Sequence, residues 1–326
     1  MKVLVTGGTG FIGSHLVERL LDRRYEVRCI AKDALNARLL ESRGCRVVIG
    51  DLNTPGSWES LLDGVETVYH VAGVTRCRVP AEYYEGNYMA TTQVVDTCAA
   101  VSPGLRHFVH VSSQTAIGPS LGGFPIGEET PYHPVSDYGK SKMLAELEVL
   151  RASDRLPVTI VRPSAVYGPR ERDMYDYIRT IKHGLQLLIG FHDKIMSLIH
   201  VQDLVNGIML AGESAVSAGK KYFLGSEVYY SYAEIGSTIA RVVHRHPLSI
   251  RLPHCLVWSV GAVSTAIGKL SGQQVFLNME KAREVVQPAW TCSVEKAKRE
   301  LGFRQNVSLE EGMRQTYNWY VENGWL

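Results

Sequence analysis

The sequence predicts an α/β fold in which a doubly wound parallel sheet is joined to a smaller, mainly helical C-terminal lobe. Short strand-like runs alternate with amphipathic helical patterns through the first half of the chain. A glycine-rich turn follows the first of these runs directly, and the alternation loosens after Tyr167. Strands that alternate with helices pair in parallel through helical crossovers, which is the arrangement of a doubly wound sheet.

Each predicted strand is a short apolar run that ends in a turn. The runs, in chain order, are KVLVTG, YEVRCIA, RVVIGDL, TVYHVAG, HFVHVSS and PVTIVRPS. Helical periodicity predicts the intervening helices at about 12–22, 35–43, 57–62, 82–100 and 137–152. The first half of the chain therefore supplies the alternating units that a parallel sheet with covered faces needs.

The turn after the first strand reads TGGTGFIG and spaces three glycines, Gly7, Gly10 and Gly13, three residues apart. Glycine at these positions allows a tight turn, close approach of the backbone to a pyrophosphate, and close packing of the helix on the sheet. The helix that opens at Phe11 and Ile12 offers unpaired N–H groups and a positive dipole end to phosphates. The turn therefore predicts a dinucleotide site in a Rossmann-like sheet, with a purely structural turn as the alternative.

The residues after the second and third strands indicate which dinucleotide the site takes. A site for NAD usually has an acidic residue at the end of the second strand, where it accepts from the ribose 2′-OH. Here an alanine ends that strand, Lys32 follows it, and Arg38 lies further along. Cations in this place suit a 2′-phosphate, so we predict NADPH/NADP+ as the preferred cofactor, with NAD+ as the alternative that Asp33 would favour. Asp51, beside Leu52, ends the third strand, where its carboxylate could accept from the adenine amino group.

The looser pattern of the second half divides the chain in two. Residues 1–167 and 198–224 are predicted to form the dinucleotide-binding domain, because a strand and helix near 198–213 read as a return to the sheet. Residues 168–197 and 225–326 are predicted to form the substrate-binding lobe. The boundaries follow from the change in pattern alone.

Composition and charge exclude several classes of partner. The 326 residues carry a net charge of +2, which gives no electrostatic basis for binding nucleic acid. The six cysteines are scattered, with no CxxC pair and no metal-ligand spacing, so we expect a reduced, cytoplasmic chain without a metal site. We expect no signal peptide, because the chain enters its first strand within two residues.

One apolar stretch, LPHCLVWSVGAVSTAIGKL at 252–270, raises the question of a membrane. The stretch is marginal in length for a span and contains His254. We therefore expect a helix that covers a pocket or packs on the core. A contact with a membrane surface is the less favoured alternative.

Two polar motifs could carry the chemistry. In DYGKSK, Tyr138 and Lys142 are four residues apart on a predicted helix, which puts them on one face. A neighbouring ammonium favours the phenolate, so we expect a lowered pKa for Tyr138 that would suit proton transfer. Ser112 and Ser113 end the strand HFVHVSS, at the sheet edge where ligands bind in such folds. Either hydroxyl could stabilise a reacting oxygen, with capping of the following loop as the alternative.

With these motifs the chain resembles an extended short-chain dehydrogenase/reductase of the NAD-dependent epimerase/dehydratase superfamily, nearest to the dihydroflavonol reductase and 3β-hydroxysteroid dehydrogenase branch. The motifs are TGGTGFIG, GDL, VYHVAG, GNYMATTQVVD, VSSQTAIG, YGKSK, VRPSAVYGP, IHVQDL and ELGFRQNVSLEEGMRQT, which together span nearly the whole chain. The resemblance implies that Ser113 is the catalytic serine and Tyr138 the acid/base. It implies that Lys142 binds the nicotinamide ribose and lowers the pKa of the tyrosine. It also implies a set of cofactor-lining residues: Val71, Ala72, Gly73, Asn87, Val111, Pro163 and Val166.

Three departures from the superfamily pattern concern the substrate. Sugar 4,6-dehydratases have Asp-Glu after the catalytic hydroxyl, whereas this chain has Gln114 and Thr115, neither of which is a carboxylic acid. Nucleotide-sugar members often have Asn before the YGP-like turn and Arg before the IHV strand, where this chain has Ala165 and Met196. Each of these last two changes removes a contact to a diphosphate, so the pattern favours a less polar substrate.

We therefore predict an NAD(P)-dependent oxidoreductase that transfers a hydride between the nicotinamide and a carbonyl or alcohol of a small, fairly apolar substrate. The alternative is a nucleotide-sugar epimerase or dehydratase that uses tightly bound NAD. In that case Arg170 and Arg172 could contact the diphosphate, unless they only form the solvated start of a helix. A non-enzymatic NADP(H)-binding regulator is a third hypothesis.

The remaining expectations concern the surroundings of the site. The residues that could line an apolar substrate are Tyr167, Met174, Phe191 and Trp258. The resemblance implies a homodimer that forms through the helices near 82–100 and 137–152. The only other partner that we expect is the small-molecule substrate, since neither nucleic acid nor a membrane is favoured by the sequence.

Overall fold

A computed structural model describes residues 1–54, 56–102, 104–271 and 278–326. Its largest element is a seven-stranded sheet. The strands are β1 (Lys2–Thr6), β2 (Glu26–Ala31), β3 (Arg46–Ile49), β4 (Thr67–His70), β5 (His107–Val111), β6 (Val158–Pro163) and β10 (Lys220–Leu224). Their order is β10-β6-β5-β4-β1-β2-β3, and every neighbouring pair is parallel. The predicted doubly wound parallel sheet is confirmed.

The strand order reverses direction at β1, which is hydrogen-bonded to β2 on one side and to β4 on the other. In open sheets of this kind the connections diverge at the reversal and leave a crevice outside the carboxyl ends of the strands. The loops after β1 and β4 therefore face each other across the place where a ligand is expected.

Helices cover both faces of the sheet. One face carries α1 (Phe11–Asp22), α2 (Ala34–Glu41), α7 (Val201–Glu213) and α11 (Glu295–Leu301), whose buried apolar residues form one core cluster with the strands. The other face carries α4 (Ala90–Val101) and α5 (Asp137–Arg151), which contribute to a second cluster. A π-helical turn, Tyr84–Met89, joins α4 to the short α3 (Ala81–Tyr83). The helix predicted at 57–62 is a 3₁₀ turn, Glu59–Leu62.

The rest of the chain builds a second part with its own small sheets. A four-stranded sheet contains β7 (Ala165–Tyr167), β9 (Ile195–His200), β11 (Tyr229–Ser231) and β13 (Ala289–Trp290), and a pair of strands contains β8 (Leu185–Ile189) and β12 (Leu248–Leu252). The helices are α6 (Arg172–Lys182), α8 (Tyr232–Val242), α9 (His254–Ser271), α10 (Met279–Val285) and α12 (Leu309–Glu322). This part is thus less purely helical than the sequence predicted.

The expected return to the main sheet near 198–213 is only partly right. Strand β9 pairs with β7 instead of β6, because the chain leaves the main sheet after Pro163 and offers β7 as a new edge. Helix α7 does return, since it packs on β5 and β6, and β10 adds the outermost strand. All seven strands of the main sheet lie within 1–167 and 198–224, the ranges expected for the dinucleotide-binding domain.

Two simple expectations from composition can be compared with the fold. All six cysteines are free thiols, and five of them are buried. Within the described residues, no helix combines the length and the apolarity that a bilayer crossing requires.

Candidate active site

The glycine turn after β1 has the geometry that a dinucleotide needs. Gly7 has φ +72, and a Cβ placed on it would lie 2.7 Å from the backbone of Ala72. A Cβ on Gly13 would lie 2.1 Å from the Gly7 carbonyl oxygen, so both positions require glycine. Gly10 caps α1 without any side-chain hydrogen bond to the first helical N–H groups. These N–H groups stay available for a pyrophosphate, and the residues therefore fit the predicted cofactor.

The ends of β1 and β4 are fixed to each other beside this turn. Thr6 Oγ1 hydrogen-bonds His70 Nδ1 at 2.7 Å and accepts from the Ala72 N–H at 3.2 Å. His70 is fully buried, and its pKa falls to about 3 because burial disfavours the imidazolium. A neutral imidazole therefore holds Val71 and Ala72 next to the glycine turn.

The adenine end of the site keeps its two cations exposed. Lys32 follows the last residue of β2, and Arg38 lies in the last turn of α2, and both are exposed. Asp33 instead caps α2, where its Oδ1 accepts from the Asn36 N–H at 2.8 Å. Its Oδ2 accepts from the Asn36 side-chain amide at 2.8 Å. The carboxylate that could have favoured NAD is therefore already engaged by the helix.

The other residues predicted to line the cofactor lie along the same edge of the fold. Asp51 is exposed just beyond β3, where its Oδ1 accepts from the Asn53 N–H at 3.0 Å. Gly73 is exposed beyond β4, and the half-buried Val166 lies on β7. The remaining apolar ones are buried or half-buried: Phe11, Ile12, Leu52, Val111 and Pro163.

Tyr138 and Ser113 meet at the carboxyl end of β5. Tyr138 is the second residue of α5, and its phenol lies near Ser113, which opposes the rise of its pKa. Ser113 Oγ also accepts from Thr115 Oγ1 at 2.8 Å, which orients the serine. Ser112 points elsewhere, because its hydroxyl is buried and finds no hydrogen-bond partner in the described chain. Of the two candidate serines, the geometry selects Ser113.

Lys142 lies one helical turn after Tyr138 and is only 3% exposed. Its Nζ donates to the Val111 carbonyl oxygen at 2.8 Å. Burial lowers the pKa of Lys142 to about 8. A Cβ on Gly73 would lie 3.8 Å from this Nζ, so the ammonium faces the loop after β4, as a group that binds a cofactor ribose should.

Asn87 acts on this loop through hydrogen bonds. Its Oδ1 accepts from the Val74 N–H at 2.7 Å, and its Nδ2 donates to the Val74 carbonyl at 3.0 Å and to Ser141 Oγ at 2.9 Å. The side chain is fully buried in the π-helical turn. Its amide therefore fixes the loop after β4 against α5, and its contribution to a cofactor site is to hold that loop.

The expected lowering of the pKa of Tyr138 is wrong for this structure. Burial, with the nearby Glu284 carboxylate as the second cause, raises the pKa of Tyr138 to about 12. Ser113 and the Lys281 ammonium oppose this rise, whereas Lys142 does not contribute. The phenol is therefore neutral at physiological pH, which makes it a proton donor.

No sequence pattern indicates the part of the site that α10 supplies. Glu284 Oε1 accepts from Ser136 Oγ at 2.8 Å, and Glu280 accepts from the Asp137 N–H, so α10 holds the start of α5. These contacts join residues 143 to 148 positions apart, a distance at which no local pattern can predict pairing.

A charged cluster lies beside Tyr138 between the two parts of the chain. Asp173, at the start of α6, pairs with Arg76 beyond β4 and with Lys281 Nζ at 3.5 Å. Lys281 is also 3.9 Å from Glu284. The mouth of the site is therefore more polar than the sequence predicted.

The residues predicted to line an apolar substrate do not come together. Tyr167 is 1% exposed and packs edge-on against His200 in the core. Met174 packs against the same core cluster, while Phe191 is 70% exposed in the turn after β8. Trp258 is half-buried on α9. The size and apolar character of these side chains did not predict where they lie, because their positions depend on how the small sheets of the second part are built.

Arg170 and Arg172 do not form a diphosphate site. Arg170 Nη2 contacts both carboxylate oxygens of Glu18 at 2.7 and 2.9 Å, and its Nη1 donates to Ser14 Oγ at 2.9 Å. Arg172 is exposed at the first position of α6. Within the described residues, no group of three or more metal-ligating side chains forms either.

Comparisons with known proteins show the family and the fold of the chain. Residues 3–225 match the model of the NAD dependent epimerase/dehydratase family. A ceramide reductase of Caulobacter vibrioides is 29% identical over 99% of this chain and 96% of its own length. A 2-alkyl-3-oxoalkanoate reductase of Shewanella oneidensis is 27% identical over 95% of this chain and 84% of its own length. The crystal structure of a UDP-glucuronic acid 4-epimerase from Bacillus cereus in complex with NAD superposes with a TM-score of 0.80 at 22% identity, covering 99% of each chain.

Proposed function

The chain belongs to the NAD-dependent epimerase/dehydratase family, and from that premise we propose that it is an NADPH-preferring reductase of a carbonyl in a small, fairly apolar substrate. It is an oxidoreductase of the extended short-chain dehydrogenase/reductase type. The observation that carries the proposal is the neutral Tyr138 phenol, which lies near Ser113 and one helical turn from the buried Lys142. The reverse reaction, oxidation of the alcohol, uses the same groups.

The reaction divides between the cofactor and the chain. The nicotinamide supplies the hydride that reaches the carbonyl carbon. Tyr138 gives its hydroxyl proton to the carbonyl oxygen, which becomes the alcohol oxygen. Ser113 orients that oxygen by a hydrogen bond and stabilises its developing charge. Lys142 and the open N-terminus of α1 hold the cofactor by its ribose and pyrophosphate.

The substrate class is inferred from two side chains and from the relatives. Ala165 and Met196 stand where nucleotide-sugar members often have Asn and Arg, so two contacts to a diphosphate are missing. Two relatives that align over nearly the whole chain are named as reductases of a ceramide and of a 2-alkyl-3-oxoalkanoate. Both facts support an apolar carbonyl compound.

The first test removes the proton donor. We expect Tyr138→Phe to lower kcat for NADPH-dependent reduction of a panel of aliphatic and cyclic ketones by about 10²–10⁴-fold, the usual contribution of a general acid. Binding of NADPH, followed by its fluorescence, should not change. Tyr84→Phe is the control, because it loses a surface hydrogen bond to Asp137 at the start of the same helix. An unaltered rate in Tyr138→Phe would reject the assigned role.

The second test concerns the choice of cofactor. Lys32 is exposed next to the predicted 2′-phosphate position, and hydrogen bonds to charged groups are worth about 1.5–3 kcal/mol. We therefore expect Lys32→Ala to weaken NADPH at least about tenfold and to leave NADH unchanged. Lys221→Ala is the control on the far edge of the sheet. Equal losses for both cofactors would contradict the preference for NADPH.

One observation favours the rival function, a nucleotide-sugar epimerase with tightly bound NAD. Lys281 lies near Tyr138, and Arg76 shares its partner Asp173; both are the kind of cations that an anionic substrate contacts. Titration with UDP-, GDP- and dTDP-sugars separates the two functions. Micromolar binding of any of them, or NAD retained in the purified protein by its absorbance, would replace the reductase by the epimerase.

A further inference from the structure

The two-stranded sheet of β8 and β12 exposes an apolar face. Leu248 is paired with Leu185 and Ile250 with Leu187, and residues two apart on a strand point to the same side. All four side chains are between 38% and 66% exposed. Gln186, which points to the other side, is buried.

One side of helix α9 packs against the protein. A Cβ on Gly261 would lie 3.1 Å from the Cβ of Ala282, so the absence of a side chain lets α9 approach α10 closely. Thr265 Oγ1 accepts from the Met279 N–H at 3.0 Å, and Val257 is buried on the same side. The expectation that this stretch packs on the protein is correct for this side.

The opposite side of α9 is apolar and exposed. Leu256, Val260, Val263 and Ile267 follow one another at helical spacing and are each between 42% and 59% exposed. The sequence has no charged residue from 255 to 268. An amphipathic helix normally places its polar residues on the solvent side, and here that pattern is inverted.

The two exposed faces adjoin along the chain, and we call them together the apolar face, defined as the outer sides of β8, β12 and α9. Strand β12 leads into α9 through Pro253 alone. At the end of β8, a Cβ on Gly190 would lie 2.7 Å from His254, the first residue of α9, and Phe191 follows with 70% of its surface exposed. Exposed apolar side chains clustered in this way normally mark a contact with another surface.

The segments that contain β8 and β12 are rich in basic residues. The segments 179–193 and 241–254 contain five Lys and Arg residues and one acidic residue, Asp193, so their net charge of +4 exceeds the +2 of the whole chain. Two of the five are paired, Arg251 with Asp193 and Arg241 with Glu310. An open groove of about 610 Å³ lies on the side of the strands to which Gln186 points, away from the apolar face.

We propose that the apolar face docks the protein onto a lipid bilayer that contains anionic phospholipids, which the basic segments beside this face attract. Apolar side chains beside basic ones are the pattern by which interfacial helices bind such membranes. A second copy of this chain is a poorer occupant, because a two-fold contact through this face brings the basic segments of the two copies together, where their charges repel. Helix α10 then lies between the bilayer and the start of α5, which carries Tyr138.

Flotation of the full-length protein with vesicles tests the proposal without measuring turnover, so its result does not depend on the proposed reaction. We expect flotation with vesicles of phosphatidylcholine and phosphatidylglycerol in a 2:1 ratio and at least about fivefold less with phosphatidylcholine alone. Val263→Glu should reduce the bound fraction at least about tenfold, because it places a charge on the apolar face. Val216→Glu is the matched control, since Val216 is similarly exposed at 53% on a distant loop.

The outcomes are distinguishable. Failure of the wild-type protein to float, or flotation that Val263→Glu does not reduce, overturns the proposal. Light scattering on the same samples tests whether a second copy of the chain occupies the apolar face. A dimer in the absence of lipid that Val263→Glu dissociates would assign the face to self-association. Unchanged NADPH binding and thermal unfolding in Val263→Glu show that any loss of flotation is not a loss of fold.

Discussion

At the scale of single residues, burial decides the protonation states at the candidate site. Tyr138 and Lys142 both lose hydration, and in both the neutral form is favoured, so the pKa of the phenol rises to about 12 and that of the ammonium falls to about 8. The raised value keeps the proton on Tyr138, where reduction needs it. The lowered pKa of Lys142 means that the folded chain keeps a charged ammonium in a place where burial makes the charge unfavourable. Such perturbed groups are typical of functional sites.

A first prediction follows from the free-energy cost of burying the Lys142 ammonium. Its pKa falls from 10.5 to about 8, which corresponds to about 3 kcal/mol of lost stability at pH 7. We therefore expect Lys142→Met to unfold at higher urea concentration than the wild type at pH 7 while it loses turnover. Lys140→Met, at an exposed position on the same helix, should leave both stability and turnover unchanged.

The same prediction has a definite pH dependence. Below pH 8 both folded and unfolded wild-type chains carry the Lys142 proton, and the folded state bears the full penalty. Between pH 8 and about 10.5 only the unfolded chain binds that proton, so the wild type gains stability relative to Lys142→Met as the pH rises. Urea unfolding of both proteins at pH 7 and pH 10 measures this difference. A stability difference between the two proteins that stays constant or grows from pH 7 to pH 10 would contradict the burial of a charged Lys142.

At the scale of elements, the position of α5 depends on a buried ion pair. Arg162, on β6, donates to both carboxylate oxygens of Glu146 at 2.7 to 3.2 Å, and both side chains are essentially inaccessible. Glu146 lies one turn after Lys142 on α5, and Arg162 directly precedes Pro163. The pair therefore fixes the helix that carries the candidate catalytic groups to the strand that ends at the candidate cofactor site.

A second prediction tests this pair. Glu146→Ala leaves a buried guanidinium without its carboxylate, and removal of one member of a buried pair costs about 3–5 kcal/mol. We expect a loss of this size in the free energy of unfolding, measured by urea. Glu148→Ala is the control two residues away, because its pair with Arg151 is at the surface and is worth at most about 1 kcal/mol. Losses of equal size in the two variants would show that the buried pair does not position α5.

The local sequence pattern predicted the positions of the helices and strands well. It predicted the long-range pairing between them much less well. The helix expected at 12–22 is Phe11–Asp22, and the helix expected at 137–152 is Asp137–Arg151, because glycines, caps and apolar spacing are local properties. The four-residue spacing of Tyr138 and Lys142 follows from the same helix. The partners of β9 and the contacts of α10 with α5 could not be predicted, since they join segments that no periodicity relates.

At the scale of the whole molecule, ion pairs connect the sheet domain to the second part of the chain on both sides of the site. Arg170, beyond β7, binds Glu18 on α1, and Asp173 on α6 binds Arg76 beyond β4. These contacts place α6 next to the glycine helix and to the loop after β4. The substrate side of the crevice is therefore positioned by charge as well as by apolar packing.

The last prediction concerns assembly, and it rests on the resemblance and on the outer surface of the sheet domain. We propose that the chain forms a homodimer through α4 and α5, which pack side by side and expose Val101 and Leu147 at 46% and 44%. Two copies that pair these helices would bury both side chains in a four-helix contact. Light scattering should therefore give twice the mass of one chain, and Leu147→Glu should give one chain mass, because it buries two charges at the contact. Leu121→Glu, at an exposed loop position, should stay dimeric. A wild-type monomer, or a Leu147→Glu dimer, would contradict this assembly.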